Sequence, residues 1–131
     1  MHRFALERIK EISGQQSFDK LIIDGNCPFD KYEETIQSSP RDRKKLGSIY
    51  QYMQQVADLR SLPPKKFKDI TPDGERVKEY EFKKDNLRVY AFKKEGGKIV
   101  VIGGYKNTQK RDLRKFRSIK AQYLQSLGHG I

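Results

Sequence analysis

Between residues 77 and 104 the apolar spacing is two, and three strand-like runs follow one another with only turn residues between them. The runs are "VKEYEF", "LRVYAF" and "KIVVIGG", separated by "KDN" and "EGG". Short turns rich in Asn, Asp and Gly join consecutive strands as hairpins, so the stretch predicts an antiparallel meander near 78–83, 87–93 and 98–104. Val77, Tyr80 and Phe82 supply the apolar alternation of the first run, with one slip of register. The third run is apolar without a break from Ile99 to Ile102, which suits a central strand covered on both faces.

Helical spacing appears on either side. Upstream, Ser39 can cap a helix whose first turn takes Pro40. Leu46, Ile49, Tyr50, Met53, Val56 and Ala57 form its apolar stripe, and "SLPPKK" ends it near residue 60. A shorter helix fits "CPFDKYEETIQ", with Phe29, Tyr32 and Ile36 on one side, and "FDKLIIDG" before it reads as a strand or extended segment. Residues 3–12 fit a strand or a helix equally. Downstream, Thr108 can cap a final helix near 108–125, with Leu113, Phe116, Ile119, Tyr123 and Leu127 at helical spacing. The expectation is one α+β domain over residues 1–131, with a helical pair on a small antiparallel sheet and a closing helix.

Charge narrows the partner. Residues 1–62 hold 10 Lys+Arg against 9 Asp+Glu, whereas residues 63–131 hold 18 against 8. A positive excess confined to one half of the chain points to a polyanion, nucleic acid above all; the competing reading is a solubilising surface. The single Cys27 excludes an internal disulfide framework. "MHRFALERIKEI" lacks the apolar core of a signal peptide, and no apolar stretch reaches the length of a membrane span. A soluble, cytoplasmic protein with no membrane partner is expected.

The segment "GGYKNTQKRD" ends the apolar third strand at an aromatic residue and a lysine and opens the basic helix. A strand exit beside a helix start brings free backbone N–H groups and cations to one place, which makes an anion-binding corner.

The same residues carry a family resemblance. "KEYEFKKDNLRVYAFKKEGGKIVVIGGYKNTQKRD" resembles the core of the RelE/HigB superfamily of type II toxins, in its phage-derived branch. Glu79-Tyr80-Glu81-Phe82 is similar to the family's acidic-aromatic strand, and Leu87-Arg88-Val89-Tyr90 to its arginine-bearing strand. Tyr105-Lys106-Asn107-Thr108-Gln109 is similar to the aromatic-plus-"KKTQ" helix opening. The resemblance covers about residues 62–125; residues 1–17 would be an N-terminal extension. Asn107 stands in place of the second lysine of "KKTQ", and Lys83 where an arginine is common. The resemblance implies a toxin that cleaves mRNA on the translating ribosome, silenced by an antitoxin protein.

Metal-independent cleavage needs the ribose 2′-OH to attack the adjacent phosphorus, with a base, an acid and cations on the developing phosphorane. No cofactor is implied, and no metal signature is present, because the two histidines lie at opposite ends and the one cysteine has no partner. Arg88 reads as a phosphate contact or as a surface arginine over Tyr90. Lys106 reads as a phosphate contact or acid–base group, or as a solvated lysine. Tyr105 stacks on a base, acts as an acid, or is a core-edge tyrosine. Lys83, Lys84, Tyr90, Asn107, Thr108 and Gln109 surround these as RNA contacts. Lys110, Arg111, Arg114, Lys115 and Arg117 read as a track for an RNA backbone, and equally as the outer face of an amphipathic helix. His129 near the C-terminus is a weaker general-acid candidate. Two other functions share the fold: a gyrase inhibitor of the ParE kind, and an RNA-binding protein without catalysis.

Overall fold

The apolar run of the third hairpin strand lies at the heart of a six-stranded sheet. In the computed structural model, which describes residues 1–128, the strands are β1 (Phe4–Arg8), β2 (Ser17–Ile23), β3 (Phe67–Asp69), β4 (Glu79–Lys84), β5 (Leu87–Lys94) and β6 (Gly97–Tyr105). The helices are α1 (Pro28–Gln37), α2 (Pro40–Ala57) and α3 (Gln109–Ser126), the last preceded by a 3-10 turn, Lys106–Thr108. The sheet order is β1-β2-β6-β5-β4-β3.

The expected meander is present, but the sheet is larger than expected and mixed. β2 runs parallel to β6, pairing Ser17 with Gly97 and Lys20 with Val100, while every other pairing is antiparallel. Residues 4–8, ambiguous in sequence, form an edge strand on β2. A parallel neighbour requires a long crossover, which α1, α2 and the remaining meander supply.

Helices cover both faces. α1 and α2 pack on one side, where Phe29, Ile36, Ile49 and Met53 meet Phe18, Phe82, Val89 and Val100. α3 packs on the other, where Phe116 and Tyr123 meet Leu21, Tyr90, Phe92 and Ile99. The β5–β6 register passes from Ala91–Val100 to Tyr90–Ile102, leaving Val101 as an extra residue. This bulge puts Val101 and Ile102 in the same α3-side cluster. Beyond it, Gly103 lies under the Tyr32 ring and Gly104 under the Asp112 carboxylate, and a Cβ at either would overlap them. The glycine pair thus lets α1 and α3 close on the end of β6 from opposite sides.

Helix signals behave as their chemistry requires. The Ser39 hydroxyl accepts from the Asp42 amide (3.3 Å), and Pro40 sits in the first turn of α2. In the α2 stripe Tyr52 is buried, while Tyr50 is only half-buried and donates its hydroxyl proton to Glu33 (2.7 Å). In the α3 stripe Leu127 is exposed, and the buried positions include Lys120 and Asp112. Alternation in β4 turns Glu79 and Glu81 toward α3, where both are buried. Glu79 accepts from Lys120 Nζ (2.8 Å) and Arg117 Nε (2.9 Å), and Glu81 accepts from the Gln109 amide. These pairs fasten the closing helix to the sheet. No described helix is long and apolar enough to cross a membrane.

Candidate nucleic-acid interface

β6 leaves the sheet at Tyr105, and the next amide fixes where the chain goes. Lys106 N–H donates to the Asn86 carbonyl (2.8 Å), tying the strand exit to the β4–β5 turn. Asn86 Oδ1 in turn accepts from Lys45 Nζ of α2 (2.9 Å). One turn residue therefore gathers β6, β4–β5 and α2 at the same end of the sheet.

An open depression of about 850 Å³ lies there, lined by Asn86, Tyr105, Lys106, Asn107, Thr108 and Arg111. Lys106, Asn107 and Arg111 are exposed. Lys106 has no carboxylate within 4 Å among the described residues, whereas Arg111 Nε lies 3.5 Å from Asp112 Oδ1. The Tyr105 ring is half-buried and meets Tyr32 edge-on at 5.9 Å. Burial, helped by the Asp42 carboxylate, raises the Tyr105 phenol above its ordinary pKa, so it carries its proton at neutral pH.

The helix start differs from its expected form. Thr108 makes no side-chain cap to α3; its hydroxyl accepts from the Tyr105 amide (3.2 Å) and lies 2.6 Å from Asp112 Oδ2. Asp112 is buried in the first turn of α3 and already faces the helix dipole. Positive potential at this corner therefore comes from side chains more than from the helix end.

Arg88 is the chief correction. It is expected at the surface, yet it is 7% exposed, on the α3 side between its cross-strand neighbours Lys83 and Gly104. One terminal nitrogen donates to the carbonyls of Asp85 (2.7 Å) and Leu87 (2.8 Å), and Nε has no partner. Arg88 shapes the turn that holds Lys106 instead of facing solvent. Tyr90 is fully buried, packs on Phe116 at 5.8 Å and leaves its hydroxyl unpartnered, so it offers no surface to RNA. Gln109 is committed to Glu81, and Arg117 to Glu79 and the Ile70 carbonyl (3.0 Å). The remaining basic residues of α3, Lys110, Arg114 and Lys115, are exposed. Lys83 is half-buried; His129 lies outside the described residues.

Sequence reasoning missed the part contributed by α2. A second depression, of about 250 Å³, is lined by Arg41, Lys44, Lys45, Ser48, Lys84 and Asp85. The run "RDRKK" reads as the first turns of a helix, and nothing in its spacing announces the hairpin turn packed beside it. A lysine of lowered pKa lies elsewhere. Lys98, 5% exposed near the start of β6, has rings of Tyr80, Phe18 and Phe67 around its ammonium at 4.7–5.8 Å. Burial, with Lys93 nearby, lowers its pKa to about 8.

No family model, curated protein or solved structure matches this chain.

Proposed function

We propose that the protein binds RNA at the Lys106 corner and is the toxin of a type II toxin–antitoxin system, a ribosome-dependent mRNA endoribonuclease of the RelE/HigB-like kind. The observation that carries the reading is the convergence of Tyr105, Lys106 and Arg111 on one open, basic depression. The chain order β2, α1–α2, β4–β6 and α3 supports the resemblance read from the sequence. An arginine and a lysine suit the nonbridging oxygens of a scissile phosphate. When the 2′-OH attacks phosphorus the P–O5′ bond breaks, giving a 2′,3′-cyclic phosphate and a 5′-OH. In this reading the neutral Tyr105 phenol gives the proton that the 5′ oxygen takes up. Lys106 either holds the phosphate as a cation or, when neutral, takes the 2′-OH proton. Lys106→Arg separates the two, because a guanidinium keeps the attraction and cannot act as a base. An antitoxin with an acidic segment would cover this face and exclude RNA.

One observation favours an RNA-binding protein without catalysis. The buried Arg88 commits one terminal nitrogen to two turn carbonyls, which leaves less of the guanidinium for a phosphate. Inducible expression decides between these readings. The toxin reading expects translation to stop with mRNA cut, and growth to return when a neighbouring small open reading frame is co-expressed. Induction of the SOS response, or growth without any defect, overturns it.

A further inference from the structure

We propose that Arg41 and Lys44 of α2, with Lys84 of β4, form a second phosphate subsite, and that a single-stranded RNA crosses the Asp85–Asn86 turn between it and the Lys106 corner. The inference rests on the RNA reading above and adds the strand's path over the surface. Arg41 and Lys44 are exposed and Lys84 half-buried, and none of the three has a carboxylate within 4 Å among the described residues. These cations are therefore not spent inside the fold.

The two depressions are joined through one residue. Asn86 lines the larger, and its side chain holds Lys45 of the smaller at 2.9 Å. The carbonyl of the same residue holds the Lys106 amide at 2.8 Å, so the spacing of the two basic clusters is built into the fold. The exposed Asp85, lining the smaller depression, and Asn86, lining the larger, form the turn that joins them, with Asp85 in the left-handed region at φ 51°. The Asp85 carboxylate, at the edge of the smaller depression, repels phosphate, so the phosphate held there sits toward Arg41 and Lys44.

This geometry selects a single strand. A polyanion held on both sides of a turn must bend around it, and duplex nucleic acid is stiff over such lengths. The half-buried Tyr105 ring gives an unpaired base a surface to stack on, which a duplex cannot use because its bases are paired inside.

Fluorescence anisotropy of a labelled uridine-rich oligonucleotide tests the path, with 2′-O-methyl groups so that binding is measured without cleavage. The full chain is titrated over a range of salt and compared with the Arg41→Gln/Lys44→Gln double variant and with Lys106→Gln. Circular dichroism confirms that each variant folds. Each phosphate contact on a single strand contributes about 0.7 to the slope of log K against log salt, so the double variant should lose about 1.4 and Lys106→Gln about 0.7. The single strand should bind about tenfold or more tighter than an RNA duplex of equal length. An unchanged slope in the double variant with a reduced slope in Lys106→Gln overturns the second subsite and leaves the corner standing. No binding, or slopes unchanged in both variants, overturns the RNA reading as well. A duplex bound equally well removes the single-strand claim, and a polyglutamate peptide that outcompetes the RNA makes the track a protein-docking surface.

Discussion

Replacing Arg88 with alanine should destabilise the protein even though the residue belongs to a motif that reads as functional. Its guanidinium donates to the Asp85 and Leu87 carbonyls, and hydrogen bonds from a charged group are worth about 1.5–3 kcal/mol each. Against that, Nε is buried without a partner, and removing it recovers about 1–3 kcal/mol of desolvation. Asp85 lies on an exposed turn, so water replaces its lost donor, whereas Leu87 is buried and its carbonyl is less easily served. The balance is a loss of about 2–3 kcal/mol. Urea unfolding followed by far-UV circular dichroism measures it, since the chain has no tryptophan. At a slope of about 1–3 kcal/mol per molar, the midpoint should fall by roughly 1 M with the slope unchanged. A loss below about 0.5 kcal/mol would mean that Arg88 behaves as a solvated side chain, and the buried arrangement would be refuted. On the proposed toxin reading, lost toxicity in this variant would therefore report folding as well as chemistry.

Other perturbations separate structure from function. Lys120→Met should cost about 3 kcal/mol or more, because it leaves the buried Glu79 carboxylate with Arg117 alone; the Glu79→Leu/Lys120→Met double variant should lose less, as a double-mutant cycle would show. Lys98 carries the opposite sign. Its folded pKa, about 8, is below the ordinary 10.5, so the burial cost is felt in full below pH 8 and disappears as pH rises toward 10.5. Wild-type stability relative to Lys98→Met should climb across that interval, with the variant more stable at neutral pH; a difference independent of pH would contradict this. Tyr105→Phe should leave stability nearly unchanged and, on the proposed endoribonuclease reading, slow cleavage by roughly a hundredfold or more with RNA affinity retained. Cleavage by Tyr105→Phe at the wild-type rate would remove the phenol as the proposed acid.

Elements whose signal is local were legible in the sequence. The meander, both long helices and the Ser39 cap follow from period, turn residues and a hydroxyl before a proline, all within one stretch of chain. What depends on distant partners was not. Ser17–Ile23 pairs parallel with β6 across more than seventy residues, and no turn chemistry marks such a neighbour. Glu79 and Glu81 look like solvent residues until Lys120, Arg117 and Gln109 of α3 arrive to neutralise or bond them. The candidate site divides the same way. Tyr105 and Lys106 were found from the strand exit, whereas Arg41, Lys44 and Asn86 join it only because β4–β5 and α2 end side by side. The burial of Arg88 and Tyr90 was not legible, because alternation places them opposite Leu87 and Val89, on the face that α3 covers.

Primer extension on mRNA bound to purified translating ribosomes decides whether the Lys106 corner cuts mRNA on the ribosome. Wild-type protein should create new 5′ ends within translated codons, only when ribosomes are present. Lys106→Ala, an exposed substitution expected to change stability by no more than about 0.5 kcal/mol, should abolish them. Intact mRNA with the wild-type protein, or equal cleavage by Lys106→Ala, would rule out a nuclease site at this corner.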